Sequence, residues 1–348
     1  MTRPTISSVA ELAGVSIATV SRCVNDPDRV NSKTRARVQK AIARLGYSPN
    51  TLAQSFRRGR TNIIMVVMPH AGCPFLSEVL AGVREGISGR YSLVIAEARH
   101  RSYEEFGAMM VSRQVDGMIL LATMPPFGAN LDQISPQRRL PVVLGCEPIS
   151  DEMEALPSVH IDNFAAADEA TRHLIGLGHQ RIAFVSGPEG SLVTRDRERG
   201  FRAAMHDNGL AVDEDHLCRA PLSTEGGAAA AVELLCCDPR PSAAFCANDE
   251  MALGAMHVFQ RAGLRIPEDI SVMGFDDTRY AAIAAPPLTT VAQPANEIGR
   301  RVAARIIAEI EGTANDSDRI QTLGHRLVIR QSTGPCNEAL DLPKAAAG

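Results

Sequence analysis

The chain has 348 residues, of which 45% are hydrophobic and 22% charged, a composition typical of soluble globular proteins with two or more domains. Its densest apolar runs, 63–68 and 118–122, are far shorter than the roughly 18 residues that a membrane span needs. This excludes an integral membrane protein. The first thirty residues contain no continuous apolar segment of a secretion signal, so we expect a cytoplasmic location.

The net charge of −4 is unevenly distributed along the chain. Residues 1–60 contain eleven basic and three acidic residues, a net charge of +8, whereas the other 288 residues carry −12. A small basic segment joined to a larger acidic body is typical of a polyanion-binding module on a soluble carrier. A solvated charged surface would have the same composition, so charge alone leaves both interpretations open.

The first residues of the chain predict a helix-turn-helix. Thr5 precedes an amphipathic stretch and Gly14 follows it, which indicates a short helix with a capping residue at its start and a glycine at its end. Ser16 then caps a second short helix. Val20 and Val24, four residues apart on that helix, are expected to face the core. The second helix of such a motif can lie in the major groove of DNA.

The outward face of the second helix carries side chains that could read bases. Arg22 has a planar fork that can bond guanine O6 and N7 together, whereas Ile17 and Ala18 offer apolar contact, for example to a thymine methyl. A third helix is predicted between the cap at Asn31 and Gly46.

Basic residues on this third helix, Lys33, Arg35 and Arg37, could reach phosphates. Beyond it, Asn50 can cap a helix of one to two turns. A helix that short is marginal alone, so we expect it to form only when it packs on a partner or on DNA.

This N-terminal segment has the pattern of a known DNA-binding family. The pattern consists of Thr5-Ile6, Val9-Ala10, Ala13-Gly14-Val15-Ser16, Thr19-Val20-Ser21-Arg22, Thr34-Arg35, Val38, Gly46-Tyr47, Pro49-Asn50, Leu52-Ala53 and Ser55. It resembles, without a gap, the DNA-binding head and hinge of the lac-repressor (LacI/GalR) family. A three-helix packing module without a DNA role is the alternative interpretation.

The resemblance implies a set of residues that contact operator DNA. They are Thr5, Ser16, Ile17, Ala18, Thr19, Ser21, Arg22, Asn25, Asn50, Ala53 and Phe56. In the family, the residues that match Ile17, Ala18 and Arg22 read bases, and the residue that matches Phe56 wedges into the minor groove, where leucine is usual. Family members also usually carry Asp where Ser8 stands, so the capping box is incomplete here.

After residue 60, aliphatic runs alternate with helical patterns, which predicts one or two doubly wound parallel sheets with ligands at the carboxyl ends of the strands. The predicted strands are 63–68, 91–96, 117–122, 141–146, 182–186, 243–247 and 270–275. No dinucleotide or P-loop motif follows any strand, and the sequence contains neither G-x-S-x-G nor H-E-x-x-H. The eight cysteines show no zinc spacing. We therefore expect no metal and no cofactor.

Polar residues follow several predicted strands, where a small polar ligand would be held. Glu147, Asn248, Asp249 and Asp276 come directly after strands, and Arg197 lies some ten residues after another. Carboxylates and amides accept hydroxyl protons, and arginine donates in a planar fork. Each of these residues could instead be a helix cap or a surface ion pair, but as a set they favour a binding site.

The family resemblance extends through this body to about residue 335. It is carried by 72–75, 115–117, 159–163, 177–183, 248–254, 272–277 and 287–293. It implies a core similar to periplasmic sugar-binding proteins, with two α/β subdomains, crossovers near Asp162, Val291 and Arg319, and a ligand in the cleft. Family positions that touch the effector correspond to Phe75, Glu147, Arg197, Asn248, Asp249 and Asp276.

Within the family, the runs 115–121 and 160–163 resemble the cytidine-repressor branch, which implies a nucleoside effector. The same polar residue types would also bind a sugar. The sequence therefore predicts a transcriptional regulator, a repressor in the simplest case, that acts as a homodimer on a palindromic operator in double-stranded DNA and responds to a small polar effector.

The predicted architecture has four parts. They are an all-α helix-turn-helix head (1–48), a hinge helix and linker (49–60), an α/β periplasmic-binding-protein-like core of two doubly wound subdomains (61–335) and a short tail (336–348). The tail contains no heptads, so no tail-built tetramer is expected.

Two other functions share parts of this pattern. One is a binding protein of the periplasmic type, with the same body and neither an enzymatic nor a DNA role. The other is an α/β enzyme that uses Asp249, Asp276 and His160 as acid–base groups, although no spacing motif supports it.

Overall fold

The computed structural model describes residues 4–25, 27–47, 60–87, 89–98, 103–121, 141–146 and 156–337. The chain divides into two compact units, Met1–Thr61 and Asn62–Gly348. Within the described residues, no helix is long and apolar enough to cross a membrane.

Three helices form the first unit: α1 (Ile6–Ala13), α2 (Ile17–Asn25) and α3 (Ser32–Leu45). The side chains of Thr5, Ser16 and Asn31 each accept a hydrogen bond from a backbone N–H in the first turn of a helix. Helices α1 and α3 end at Gly14 and Gly46, both in the left-handed conformation with φ of 62°. The caps and glycine stops that the sequence predicts are therefore present.

A small apolar cluster packs the three helices together. It consists of Val9, Ala10, Ala13, Val20, Cys23, Val38 and Ala41. Val20 is fully buried, as predicted, but Cys23 takes the next core position of α2 and Val24 is only partly buried. Positions three and four residues along a helix both return to the same face, so periodicity did not distinguish these two residues.

The second unit is built from twelve strands among the described residues. They are β1 (Ile63–Met68), β2 (Ser92–Glu97), β3 (Gly117–Leu121), β4 (Val142–Gly145), β5 (Ser158–Ile161), β6 (Ile182–Ser186), β7 (Leu217–Arg219), β8 (Ala243–Cys246), β9 (Ser271–Asp276), β10 (Thr289–Ala292), β11 (Ile320–Leu323) and β12 (Arg326–Val328). All seven predicted strands are present. The five others have three or four residues each, and each contains at least one polar residue, so none of them forms a continuous apolar run.

Seven helices accompany these strands in the described residues. They are α4 (Pro74–Ile87), α5 (Tyr103–Val111), α6 (Asn163–Gly176), α7 (Leu192–Asp207), α8 (Thr224–Leu235), α9 (Asp249–Arg261) and α10 (Ala295–Glu311). Helix α10 packs on α4, α6 packs on α7, and α8 packs on α9.

The strands form two six-stranded sheets. The first has the order β11-β5-β4-β3-β1-β2 and is parallel throughout. The second has the order β12-β10-β9-β8-β6-β7 and is parallel except for β12, which pairs antiparallel with β10. The predicted class, two doubly wound α/β subdomains behind a helical head, is confirmed. We call the first sheet with α4, α5 and α10 the N-lobe, and the second sheet with α6 to α9 the C-lobe.

The chain passes between the two lobes at three crossovers. The first is at Asp162, between β5 and α6, and the second is at Gln293 and Pro294, between β10 and α10. The third is at Gly324 and His325, between β11 and β12. Each crossover has no more than two residues, so the lobes are joined by three short segments at one boundary.

Helices α4 and α10 touch through their backbones in the N-lobe. A Cβ atom at Gly299 would lie 2.0 Å from the carbonyl oxygen of Val79, and one at Gly82 would lie 2.0 Å from the carbonyl oxygen of Asn296. Because a Cβ does not fit in that space, only glycine allows this helix pair to approach so closely.

We expect Gly299→Ala to lower the free energy of unfolding by about 1–3 kcal/mol, because the methyl group must push α10 away from α4. Gly176→Ala, at the exposed end of α6 with open space around the new Cβ, is the control and should be neutral or stabilising. Urea denaturation of both variants measures the difference. Equal midpoints for the two variants would contradict the close-packed interface.

Candidate functional site

A cavity of about 550 Å³ opens at the carboxyl ends of strands from both sheets. Its N-lobe wall consists of Pro69, His70, Cys73, Phe75, Leu76 and Cys146. Its C-lobe wall consists of Pro188, Ser191, Val193, Arg197, Pro221, Leu222, Ser223, Glu225, Asn248 and Asp276, and Gln293 of the second crossover completes it. The volume is that of a site for a small organic ligand. Strand ends position the lining, as the doubly wound topology predicts.

Arg197, in the second turn of α7, forms the polar end of the cavity. Its side chain is 6% exposed, its Nε donates to Asn163 Oδ1 at 2.9 Å and its Nη1 donates to the Ala247 carbonyl. The guanidinium carbon lies 3.5 Å from the centre of the Phe275 ring, a close cation–π contact. Burial lowers the pKa of Arg197 to about 10. Phe275 therefore supports the arginine and is itself fully buried.

Asp276 ends β9 opposite this arginine. Its Oδ1 lies 3.8 Å from Arg197 Nη2 and accepts a hydrogen bond from Gln293 Nε2 at 2.7 Å. Burial raises the pKa of Asp276 to about 8, while Arg197 and Gln293 act in the opposite direction. The residue has a φ of 115°, a conformation that non-glycine residues adopt at a cost and mostly at functional sites.

Asp249 does not line the cavity. It is fully buried, its Oδ2 accepts hydrogen bonds from the backbone N–H and the hydroxyl of Thr278, and its Oδ1 accepts one from the Thr290 hydroxyl. Burial raises its pKa to about 6. Because both of its oxygens are bonded within the protein, Asp249 ties the start of α9 to the segment after β9 and to the start of β10.

Three helix caps line the C-lobe wall. Ser191, Ser223 and Asn248 accept hydrogen bonds from first-turn N–H groups of α7, α8 and α9 respectively. Asn248 also donates from Nδ2 to the Leu222 carbonyl at 3.4 Å. The helix-cap interpretation of Asn248 is thus correct, and the same side chain faces the ligand space. The positive ends of three helix dipoles consequently lie at this wall, where they favour acceptor atoms on a ligand.

The structure brings together four of the six predicted effector residues, since Phe75, Arg197, Asn248 and Asp276 all line the cavity. Glu147 lies outside the described residues. Sequence reasoning missed several polar residues of the lining: His70, Cys73, Ser191, Ser223, Glu225 and Gln293. His70 and Cys73 follow β1 and Ser191 follows β6, which the sequence predicts, so the strand-end rule could have found these three; Ser223, Glu225 and Gln293 follow β7 and β10, which the sequence does not predict.

The mouth of the cavity has groups from both lobes. Cys73 and His70 of the N-lobe interact electrostatically with Glu250 of the C-lobe: burial raises the pKa of Glu250, and His70 and Cys73 act in the opposite direction. Burial raises the pKa of Cys73 to about 12, so its thiol stays protonated. Within the described residues, no group of three or more His, Cys, Asp and Glu side chains could hold a metal ion.

The predicted acid–base trio of an enzyme is not assembled. Among the described residues that line the cavity, Asp276 is present, but Asp249 and His160 are not. His160 lies on β5, where its Nδ1 is 3.2 Å from the Ser158 hydroxyl and burial lowers its pKa.

The first unit exposes the predicted base-reading residues. Ile17 is 50% exposed, and Ala18 and Arg22 are exposed beside it on α2. Thr5 and Ser16 are also exposed, while Thr19 and Ser21 are half-buried, and the side chain of Asn25 is not described. Asn50, Ala53 and Phe56 lie outside the described residues.

Two of the basic residues on α3 have structural partners. Arg37 Nη2 donates to the carbonyls of Ala13 and Gly14, which close the end of α1, and Arg35 forms an ion pair with Asp28 at 3.3 Å. Arg37 therefore joins α3 to α1, and Lys33 remains the clearer candidate for a phosphate contact.

A helix-turn-helix head with an exposed reading helix, in one chain with a two-lobed core that contains a polar cavity, defines the class of ligand-responsive DNA-binding regulators. Comparison with known proteins supports this class. Residues 5–50 match the model of bacterial regulatory proteins of the lacI family, and residues 171–333 match that of a periplasmic binding protein-like domain.

Similar proteins match over nearly the whole chain. The HTH-type transcriptional repressor CytR of Escherichia coli is 36% identical over 335 residues, which cover 95% of this chain and 97% of that protein. A lac repressor dimer bound to operator and the anti-inducer ONPF has a TM-score of 0.83 at 28% identity and covers 96% of this chain and 100% of its own. A transcriptional regulator CelR–cellobiose complex has a TM-score of 0.72 at 34% identity and covers 95% and 100%.

The chain belongs to the lacI family of bacterial regulatory proteins. The predicted function, a DNA-binding transcriptional regulator controlled by a small polar effector, is confirmed, and these similar proteins are transcriptional regulators rather than enzymes.

Replacing Asp276 should change how stability depends on pH. Its pKa is about 8 in the folded protein and about 3.9 in an unfolded chain. Between these values the folded state keeps a proton that the unfolded state has released, so the contribution of Asp276 falls as pH rises.

We therefore expect wild type to lose stability relative to Asp276→Asn from about pH 5 to about pH 8. Urea denaturation across this range measures the difference. The control is Asp269→Asn, because the pKa of Asp269 is lowered to about 2 by Arg265 and it should give a flat difference. A flat difference for Asp276→Asn as well would contradict the assignment.

Proposed function

We propose that this regulator is a homodimeric repressor that reads a palindromic operator through α2 and takes a nucleoside in the core cavity as its effector. The observation that carries the effector proposal is the cavity that has the buried Arg197 and Asp276 pair at its polar end and the apolar side chains of Phe75 and Leu222 in its walls. The resemblance of the runs 115–121 and 160–163 to the cytidine-repressor branch favours a nucleoside, and the chain is 36% identical to the repressor CytR.

The polar end of the cavity suits the vicinal hydroxyls of a ribose. Arg197 and Asn248 can donate to hydroxyl oxygens, and Asp276 can accept from a hydroxyl or, when protonated, donate to one. Phe75 and Leu222 contribute apolar surface against which a flat base can pack. A hexose carries hydroxyls around its whole ring and would leave several of them against this apolar wall.

A sugar is the second candidate, because a solved relative at 34% identity is a complex with cellobiose. Arginine, aspartate and asparagine side chains bind sugar hydroxyls as readily as those of a ribose. The two candidates differ in the apolar surface that they present to Phe75 and Leu222.

A dimer is needed for operator recognition, because a single head that reads one half-site binds weakly at physiological salt. The core has exposed apolar side chains that a second copy could cover. Val94 and Ile95 lie on the edge strand β2, and Tyr280 and Ile283 follow β9, with Ile283 78% exposed. An uncovered edge strand with apolar side chains is a liability in a monomer.

Effector control follows from linkage. A nucleoside that binds one arrangement of the lobes more tightly than another shifts the chain toward that arrangement. The predicted hinge at 50–57, which lies outside the described residues, would pass this change to the heads of the dimer.

Arg22→Ala should weaken operator binding by about 1–3 kcal/mol and relax the preference at one symmetric base pair. The comparison variant is Lys33→Ala, which should weaken all sequences alike and reduce the salt dependence by about one counterion. Gel-shift titration against a palindromic operator and its single-base variants distinguishes the two. Uniform weakening by Arg22→Ala would refute base reading by this residue.

A pyrimidine nucleoside such as cytidine should raise the melting temperature of the full chain, since a ligand at 100 times its dissociation constant stabilises by about 2.7 kcal/mol. Arg197→Leu should abolish the increase. A screen of nucleosides and sugars by thermal shift measures this. Stabilisation by a hexose or cellobiose with no nucleoside effect would overturn the nucleoside proposal.

A further inference from the structure

Four buried polar side chains form a connected chain across the floor of the cavity. Asn163 accepts from Arg197 at 2.9 Å, Arg197 faces Asp276 at 3.8 Å, and Asp276 accepts from Gln293 at 2.7 Å. Each of the four is less than 10% exposed. In such a buried set of polar contacts, loss of one side chain leaves the hydrogen-bonding group of its neighbour unsatisfied. A change at one residue is therefore expected to shift the positions of the others.

The two ends of this chain lie at two of the three crossovers between the lobes. Asn163 is the first residue of α6, directly after the crossover at Asp162. Gln293 is the residue at which the chain leaves β10 for α10. Arg197 and Asp276, the polar end of the ligand cavity, therefore lie between the two crossovers, joined to each other as an ion pair at 3.8 Å and to the crossover residues by hydrogen bonds.

Both end residues also bond the backbone beside them. Asn163 Nδ2 donates to the Ile161 carbonyl at 3.4 Å, at the end of β5. The backbone N–H of Gln293 donates to the Asp276 carbonyl, and its carbonyl accepts from the N–H of Ala295, the first residue of α10. Movement of the Asn163 side chain is therefore expected to displace the backbone at the first crossover, and movement of the Gln293 side chain to displace it at the second.

The third crossover differs from the first two. His325 Nε2 is 2.9 Å from Glu169 Oε2. In the described residues, no hydrogen bond or ion pair joins Gly324 or His325 to Arg197 or Asp276. This crossover provides an internal control.

We propose that Asn163 and Gln293 are positioning residues that couple occupancy of the cavity to the arrangement of the two lobes. A ligand that engages Arg197 and Asp276 changes the bonds these residues make to Asn163 and Gln293, and so changes two crossovers at once. The inference rests on the proposed function in one respect, because it places the effector on this ion pair.

The test uses the full chain with matched substitutions. Asn163→Leu removes the oxygen that accepts from Arg197, whereas Asn163→Asp keeps an acceptor toward Arg197 and loses only the donor to the Ile161 carbonyl, so it leaves the link to Arg197 in place. Gln293→Leu removes the donor to Asp276 at nearly constant volume. His325→Gln, at the third crossover, is the control.

Amide hydrogen exchange of the ligand-free chain tests the coupling without any effector. Gln293→Leu should accelerate exchange in a peptide that spans 162–166 by about tenfold, because the other end of the network loses its anchor. Asn163→Leu should do the same for a peptide that spans 293–299, and Asn163→Asp should not. If each substitution accelerates exchange at its own crossover alone, the two crossovers are independent and the proposal is wrong.

Operator titration with and without saturating cytidine tests the consequence for regulation. Asn163→Leu, at a residue that does not line the cavity, should reduce the effect of cytidine on operator affinity by about tenfold, the value of one charge-assisted hydrogen bond, while the affinity for cytidine changes much less. Loss of cytidine affinity with an unchanged coupling ratio would make Asn163 a simple binding residue and refute the proposal.

The two ideas fail separately. If cytidine does not stabilise wild type, the nucleoside effector is wrong, and hydrogen exchange still decides whether the network links the crossovers. If cytidine stabilises wild type but exchange shows independent crossovers, the effector site stands and the coupling is refuted.

Discussion

Burial of the Arg197 guanidinium against the Asp276 carboxyl group, where two sheets meet, is the constraint on which the core depends. Removing a charged group from water costs several kcal/mol, and the separation of 3.8 Å offsets only part of that cost, so burial lowers the pKa of Arg197 and raises the pKa of Asp276. Asn163, Gln293 and the face of Phe275 provide the remaining interactions. These groups come from two of the three crossovers and from β9, so the pair is satisfied only when those two crossovers and the strand keep their relative positions. The polar end of the cavity is consequently preorganised.

Local signals in the sequence predicted much of the fold. The caps and glycine stops of the head act within one helical turn, so they can be recognised locally. The longer strands are continuous aliphatic runs, a pattern typical of buried strands. The five short strands left no such signal, since β7 and β12 have three residues each and acquire their place from the strands beside them. The sequence predicted Val24 in the core of the head, but Cys23 lies there instead. The two positions are neighbours on one face of α2, and the packing of the three helices decides which of them is buried.

The sequence predicted where in the fold the binding site lies, but not all of its lining residues or their hydrogen-bond partners. Asp276 and Asn248 follow strands, and the parallel topology brings their positions to one edge. Asp249 follows the same strand as Asn248, yet its carboxylate is used by Thr278 and Thr290, which are 29 and 41 residues away. The sequence around Asp249 therefore could not predict these hydrogen-bond partners. Gln293 was overlooked because it leaves a strand of four residues that the hydrophobic pattern did not show.

The helix caps in the cavity wall limit how this protein can change during evolution. Ser191, Ser223 and Asn248 each hold the start of a C-lobe helix, so a mutation there alters ligand contact and folding stability together. Val193 and Leu222 line the same wall by apolar contact and cap no helix. Substitutions at these two apolar positions can therefore change ligand preference with the smallest loss of folding stability. Relatives with different effectors are expected to share the capping residues and to differ at the apolar positions of the wall.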